Sequence, residues 1–70
     1  MAKELAEICT EMVRKGEDFP TVWTTFLRRH ALVVGGPESR LESKRPVLEI
    51  RLVTGERLVF DRDARRFRVK

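Results

Sequence analysis

The sequence predicts an α+β domain in which a two-helix hairpin packs on one face of a three- or four-stranded antiparallel β-meander. Two patterns support this prediction. Apolar residues recur at helical spacing in the first half, and apolar and charged residues alternate in the last third. A chain of 70 residues has room for a single small domain, which we assign to residues 1–70.

The first helix is predicted over residues 2–15. Its apolar residues follow the spacing of an amphipathic helix: Leu5, Ile8, Cys9, Met12 and Val13. Gly16 follows as a left-handed stop, and Arg14 and Lys15 place positive charge at the negative end of the helix dipole.

A second helix is predicted over residues 18–30. Asp18 can cap its first turn, where the missing N–H of Pro20 costs nothing. Its apolar stripe contains Phe19, Val22, Trp23, Phe26, Leu27 and His30. Because the link between the helices is short, we expect an antiparallel helical hairpin, with Trp23 and Phe26 above the core of the sheet.

The segment that follows the helices predicts little regular structure. Residues 31–34 are apolar enough for a short strand, the fourth of the sheet if it forms. Gly35, Gly36 and Pro37 then interrupt the chain, and the residues after them are mostly polar. We therefore expect a mobile polar loop over residues 35–46.

The meander is predicted over residues 47–70, where alternation puts one row of side chains on each sheet face. A three-residue loop at 53–55, with Gly55 in the left-handed position, pairs Ile50 with Leu58 and Leu48 with Phe60. A turn at 63–64 pairs Phe60 with Phe67, Leu58 with Val69, and Asp61 with Arg66. Both hairpins then agree on which face is buried.

The outer face of this sheet is the main candidate binding surface. Its predicted cations are Arg51, Arg57, Arg66, Arg68 and Lys70. Glu49, Asp61, Val53 and Val59 are interspersed among them. Such a face can hold a nucleic-acid backbone, but it carries no aromatic residue on which a base could stack. An ordinary solvated sheet face explains the same pattern and is the interpretation we favour.

The net charge of +4 arises entirely in the second half of the chain. Residues 1–35 carry five basic and five acidic groups, whereas residues 36–70 carry ten and six. Arginine outnumbers lysine by eleven to four. This bias suits a phosphate- or carboxylate-binding patch. A GC-rich genome that encodes its surface cations as arginine explains it too and is the interpretation we favour.

The sequence contains no predicted catalytic, cofactor or metal site. Cys9 is the only cysteine and His30 the only histidine, so neither an internal disulfide nor a four-ligand zinc site can form within the chain. Both lie on predicted apolar stripes, which favours core or capping roles over a nucleophile pair.

No stretch resembles a signal peptide or a membrane span, so we expect a cytoplasmic protein that does not insert into membranes. The prediction is a non-catalytic interaction module that binds a protein partner or forms a homo-oligomer, because a core of this size gains stability from association. The alternative is a nucleic-acid-binding domain that uses the arginine-rich outer face.

Overall fold

The computed structural model describes residues 1–30 and 32–70. Its helical elements are α1 (Ala2–Arg14), α2 (Phe19–Val22) and a π-helical turn (Trp23–Leu27). Its strands are β1 (Val33–Glu42), β2 (Arg45–Leu52), β3 (Arg57–Asp61) and β4 (Arg66–Val69). They form one antiparallel sheet in the order β1-β2-β3-β4, so β1 and β4 are its edges. The α+β class is confirmed, and the sheet has four strands.

Helix α1 matches its predicted bounds to one residue, but its buried stripe is rotated. The side chains that face the sheet belong to Ala2, Leu5, Ala6, Cys9 and Val13. Ile8, predicted as part of the stripe, is 47% exposed. The two alanines are small, so the helix can approach the strands closely along that line, and Ile8 is turned toward solvent.

The second helix is shorter than the predicted 18–30. Asp18 does cap it, accepting a hydrogen bond from the Thr21 N–H at 3.0 Å. After Val22 the helix widens, and the Arg28 N–H bonds to the Trp23 carbonyl, five residues back, at 2.8 Å. His30 lies beyond the last helical residue and is exposed, so its predicted place on an apolar stripe is wrong.

Threonine hydroxyls accompany this widening. The Thr25 hydroxyl donates to the Thr21 carbonyl at 2.6 Å, which competes with the regular helical ladder. The predicted helical hairpin is not confirmed, because α1 packs along β4 and β3 and the second helical segment is short.

The predicted polar loop over residues 35–46 is wrong, because most of it is the outer part of β1 and the turn into β2. Residues 38–42 pair regularly with β2, from Glu38 opposite Glu49 to Glu42 opposite Arg45. An edge strand that is exposed on both faces needs no row of apolar side chains on either face. Its sequence therefore lacks the alternation of apolar and polar residues by which a strand is predicted. The strand predicted at 31–34 begins at Val33, and Ala31 lies outside the described residues.

Bulges mark the first part of β1, where the register shifts between Val33 and Gly35 and again between Gly35 and Glu38. Gly36 has φ 103°, and a Cβ atom there would stand 2.6 Å from the backbone oxygen of Glu49. Only glycine fits this approach of β1 to β2. The Gly-Gly-Pro segment is therefore a bend within a strand.

The register of the meander is confirmed. Leu48 lies opposite Phe60 and Ile50 opposite Leu58. On the other side of β3, Phe60 pairs with Phe67, Leu58 with Val69, and Asp61 with Arg66. The Leu52 N–H donates to the Glu56 carbonyl at 2.9 Å, which closes the three-residue loop, and Gly55 has φ 91°.

The hydrophobic core lies between the inner sheet face and the helices. Its fully buried members include Cys9, Val22, Leu27, Ile50, Leu52 and Leu58. The ring of Phe19 packs on Phe60 and Phe67, with centroids 5.3 and 5.9 Å away. The prediction assigned this position to Trp23 and Phe26. Trp23 instead stacks on Phe19, with the ring centroids 6.2 Å apart, and both Trp23 and Phe26 are only partly buried.

Candidate functional site

A buried carboxylate organises the outer face of the sheet. Glu49 on β2 is 4% exposed and is ion-paired with three cationic side chains. Its oxygens lie 2.5 Å from Lys70 Nζ, 3.0 Å from Arg57 Nη1 and 3.6 Å from Arg40 Nε. The Lys70 hydrogen bond is the main cause that lowers the pKa of Glu49, with the nearby guanidinium charges adding to it. All four strands of the sheet meet at this carboxylate, with Lys70 extending β4.

Asp61 is a second buried carboxylate and forms the start of the β3–β4 turn. One of its oxygens accepts hydrogen bonds from the N–H groups of Asp63 and Ala64, each at 3.0 Å. The other lies 2.8 Å from Arg45 Nη2. The Ala64 N–H is the largest cause of the lowered pKa of Asp61, and Arg45 adds to it. Asp61 therefore fixes the turn and joins it to the start of β2.

The five predicted contact residues divide into two groups. Arg57 and Lys70 are ion-paired with Glu49, and Arg68 is ion-paired with Glu42. Arg66 and Arg51 form no ion pair within residues 1–30 and 32–70, and the Arg51 guanidinium lies over Gly35. Sequence analysis missed Arg40 and Arg45 because both were placed in a loop.

The Arg68–Glu42 pair shows that the outer face is strongly curved. Strands lie about 4.8 Å apart in a sheet, so a side chain on β4 reaches one on β1 only if the sheet curls. Val47 and Val59 lie inside this curve and are buried, although Val59 was predicted among exposed charges. Val53, in the β2–β3 turn, is exposed. The outer face thus forms a second, smaller core closed by ion pairs.

The edge at β4 is closed by helix α1. The backbone N–H of Phe67 donates to Thr10 Oγ1 at 2.8 Å, and the Thr10 hydroxyl donates back to the Phe67 carbonyl at 3.3 Å. One side chain therefore takes the place of a neighbouring strand. No sequence pattern marks Thr10 for this role, because it lies beside the apolar stripe.

The edge at β1 is open over residues 38–42. Pro46, opposite Leu41, has no N–H, and its carbonyl accepts from the Arg62 N–H at 3.2 Å on the β3 side. Leu41 and Pro46 are therefore a non-hydrogen-bonded pair, so the Leu41 N–H and C=O point away from β2. Because these directions alternate along a strand, the N–H and C=O groups of Ser39 also point away from β2. The Leu41 side chain is 74% exposed.

Three hollows surround the end of the sheet that carries the β3–β4 turn. The largest, about 520 Å³, lies between α1 and β4 and includes Arg14, Arg66 and Arg68. A second, about 280 Å³, includes Arg62 and Arg65, and a third, about 340 Å³, includes Arg62 and Arg40. Arginine side chains thus line every one of them.

The residues with reactive side chains are not brought together. Cys9 is fully buried, and burial raises the pKa of its thiol to about 12, which leaves it protonated and unreactive. His30 is exposed beside Phe26. Within the described residues, no group of three or more His, Cys, Asp and Glu side chains could hold a metal ion. No helix in this part of the chain is long and apolar enough to cross a membrane.

Comparisons with protein families, with curated proteins and with solved structures find no match for this chain.

Proposed function

We propose that this chain is a non-catalytic self-association module in which β1 pairs antiparallel with β1 of a second copy. The open edge at Ser39 and Leu41 is the observation that carries the proposal. Outward N–H and C=O groups on an edge strand form a template for a further strand. A second β1 would satisfy those of Leu41 and extend the sheet to eight strands.

The charges of β1 favour one register of this pairing. With the two-fold axis at Leu41, Arg40 of each copy lies opposite Glu42 of the other, and the two Leu41 residues exchange backbone hydrogen bonds. An axis at Arg40 would oppose the two Arg40 side chains. An axis at Ser39 would place Leu41 opposite Pro37, which has no N–H to donate. Of these three registers, only the one centred on Leu41 avoids both defects.

A second copy is also the occupant that the size of the chain favours. A 70-residue chain buries only about 60% of the surface that its unfolded form exposes, less than a larger domain does, so its own core provides a narrow stability margin. Pairing would cover the exposed Leu41 side chain and satisfy edge groups that solvent now hydrates. In this register residues 40–42 of the two copies oppose one another, because Ser39 faces Ser43 of the β1–β2 turn, where φ is 49°. Helix α1 covers the other edge strand at Phe67, which limits growth beyond a dimer.

Charge-exchange variants test the pairing. Arg40 also pairs with Glu38 and Glu49 within one copy, and Glu42 pairs with Arg68, so circular dichroism and thermal unfolding first verify that each variant is folded. Arg40→Glu alone and Glu42→Arg alone each replace two opposite-charge pairs per dimer with two like-charge pairs, so we expect each folded variant to self-associate about tenfold or more weakly. An equimolar mixture of the two variants restores opposite charges and should form a heterodimer. Sedimentation equilibrium of the full chain over micromolar to millimolar concentrations measures all three.

Two controls separate pairing from folding. Arg28→Glu carries the same charge change at an exposed position outside the sheet and should leave association unaltered. Leu41→Pro removes an outward N–H while the β1–β2 ladder stays intact, so it should give a folded monomer by circular dichroism. A wild-type chain that stays monomeric at millimolar concentration, or Leu41→Pro dimers as tight as wild type, would contradict the proposal.

A further inference from the structure

We infer that the β3–β4 turn binds the phosphate backbone of a nucleic acid through Arg62, Arg65 and Arg66, which we call the turn arginines. This site adjoins the β1 edge, because the hollow that Arg62 lines is also lined by Ser39 and Leu41. It differs from the sheet-face site that the sequence suggested. The sheet-face cations Arg57 and Arg68 are already neutralised by carboxylates of the same fold. The turn arginines have no ion pair with any acidic group in the described ranges 1–30 and 32–70.

The backbone of this turn is held in place before any ligand binds. The Asp61 carboxylate accepts the N–H groups of Asp63 and Ala64, and the Asp61 carbonyl accepts the Arg65 N–H at 2.7 Å. The Arg62 N–H donates to the Pro46 carbonyl of β2. A fixed turn lowers the entropy lost on binding, because only the arginine side chains remain to be ordered.

The turn arginines project toward three separate hollows. Arg66 lines the 520 Å³ hollow beside α1, which also contains Glu7 and Glu11, and Arg65 lines the 280 Å³ hollow. Arg62 lines the latter and also the 340 Å³ hollow that contains Arg40. The Asp18 carboxylate shares the second hollow, where hydrogen bonds from Thr21 and, to a smaller extent, the charge of Arg65 lower its pKa. Phosphate groups spaced along one polymer could reach guanidinium groups in neighbouring hollows, where they would compete with Asp18 for Arg65 and lie near Glu7 and Glu11 at Arg66.

The chemistry of the turn favours nucleic acid over a lipid surface. Guanidinium groups bind phosphate oxygens in a planar, two-bond geometry. Within residues 62–66 only Ala64 is apolar, so the turn has no large side chain to insert into a bilayer. It also has no aromatic residue to stack on bases. Binding should therefore depend on backbone charge and show little sequence preference.

The salt dependence of binding to a labelled mixed-sequence 20-base-pair DNA duplex and to a single-stranded RNA of the same length tests this site. Each arginine–phosphate contact contributes about 0.7–0.9 to the slope of log affinity against log salt. The double variant R62Q/R65Q should lower that slope by about 1.4–1.8 and weaken binding about tenfold or more at low salt.

The matched control is R28Q/R29Q, which removes the same charge from exposed arginines at the end of the second helical segment. It should leave the slope nearly unaltered. Equal losses in the two double variants would overturn the inference, as would the absence of salt-dependent binding in the wild-type chain. Equally tight binding to polyglutamate or to phosphatidylserine vesicles would also overturn it, since these carry charge without a nucleic-acid backbone.

Discussion

Strand β4 has four residues and lies against helix α1, whereas β1 has ten residues and packs against β2 alone in the sheet. On β4, Phe67 directs its side chain into the core and its backbone to Thr10. On β1, Leu41 directs both its side chain and its backbone groups to solvent. The difference shows that this small sheet covers one edge at Phe67 with a helix and protects the other only in part, through bulges and Pro37.

The first prediction compares one substitution on each edge strand. Phe67→Ala removes a buried ring that contacts Phe60 at 4.8 Å, so it should lower the free energy of unfolding by about 3–5 kcal/mol. Leu41→Ala removes an exposed side chain and should change it by less than about 0.5 kcal/mol in the monomer. Urea unfolding at low protein concentration measures both. Similar losses for the two variants would mean that β1 is not an open edge.

The second prediction concerns the closure of β4. Thr10→Val keeps the shape of the side chain but leaves the Phe67 N–H and C=O without a partner, which should cost about 1–3 kcal/mol. Thr10→Ser retains the hydroxyl and is the matched control. Amide hydrogen exchange at Phe67 should accelerate in the valine variant alone. Unchanged exchange there would show that Thr10 does not protect this edge.

The third prediction concerns acid stability, to which the ion pairs joining the two edges contribute. The folded pKa values of Glu49 and Asp61 are lowered, so the unfolded chain binds protons more readily. The two carboxylates therefore stabilise the fold at a pH above their unfolded-state pKa values, which lie near 4. This stabilisation is lost as the pH falls through their lower folded-state pKa values. The melting temperature, measured by thermal unfolding at a series of pH values from 7 to 2, should therefore fall as these two carboxylates become protonated.

Glu49→Gln provides the control for the acid effect. The variant loses part of this pH dependence, because an amide cannot titrate, and it should already be less stable at pH 7. If the wild-type chain and the variant lost stability in parallel on acidification, Glu49 would not be a source of acid sensitivity. The cations around it are half exposed and can be hydrated, so we expect this effect to be smaller than those of the core changes.

The elements that could be predicted from the sequence are those with one buried face and one solvent-exposed face. Helix α1 and the cross-strand pairs of Ile50 with Leu58 and Phe60 with Phe67 follow from such patterns. Strand β1 could not be predicted this way, since backbone pairing with β2 holds it and Glu38, Arg40 and Leu41 are all exposed. The second helix ended early where backbone widening and threonine hydroxyls replaced the regular ladder.

The candidate sites were harder to predict than the fold. Alternation placed Arg57, Arg68 and Lys70 on one face, but it could not show that Glu42 and Glu49 would neutralise them. Those pairs depend on the curl of the sheet, which joins residues distant in the chain. The turn arginines were visible as charges, yet only the folded structure shows that they form no ion pair with the acidic groups of residues 1–30 and 32–70.

Because the side chains of Ser39 and Leu41 support neither the core nor an ion pair, they are free to change without loss of folding. At most other positions of the sheet, a substitution that changes binding would also lower the stability of the fold. At Ser39 and Leu41, binding can change without a change in stability. If β1 pairs as proposed, single substitutions at these two positions could therefore change which strand it pairs with while every intermediate variant remains folded.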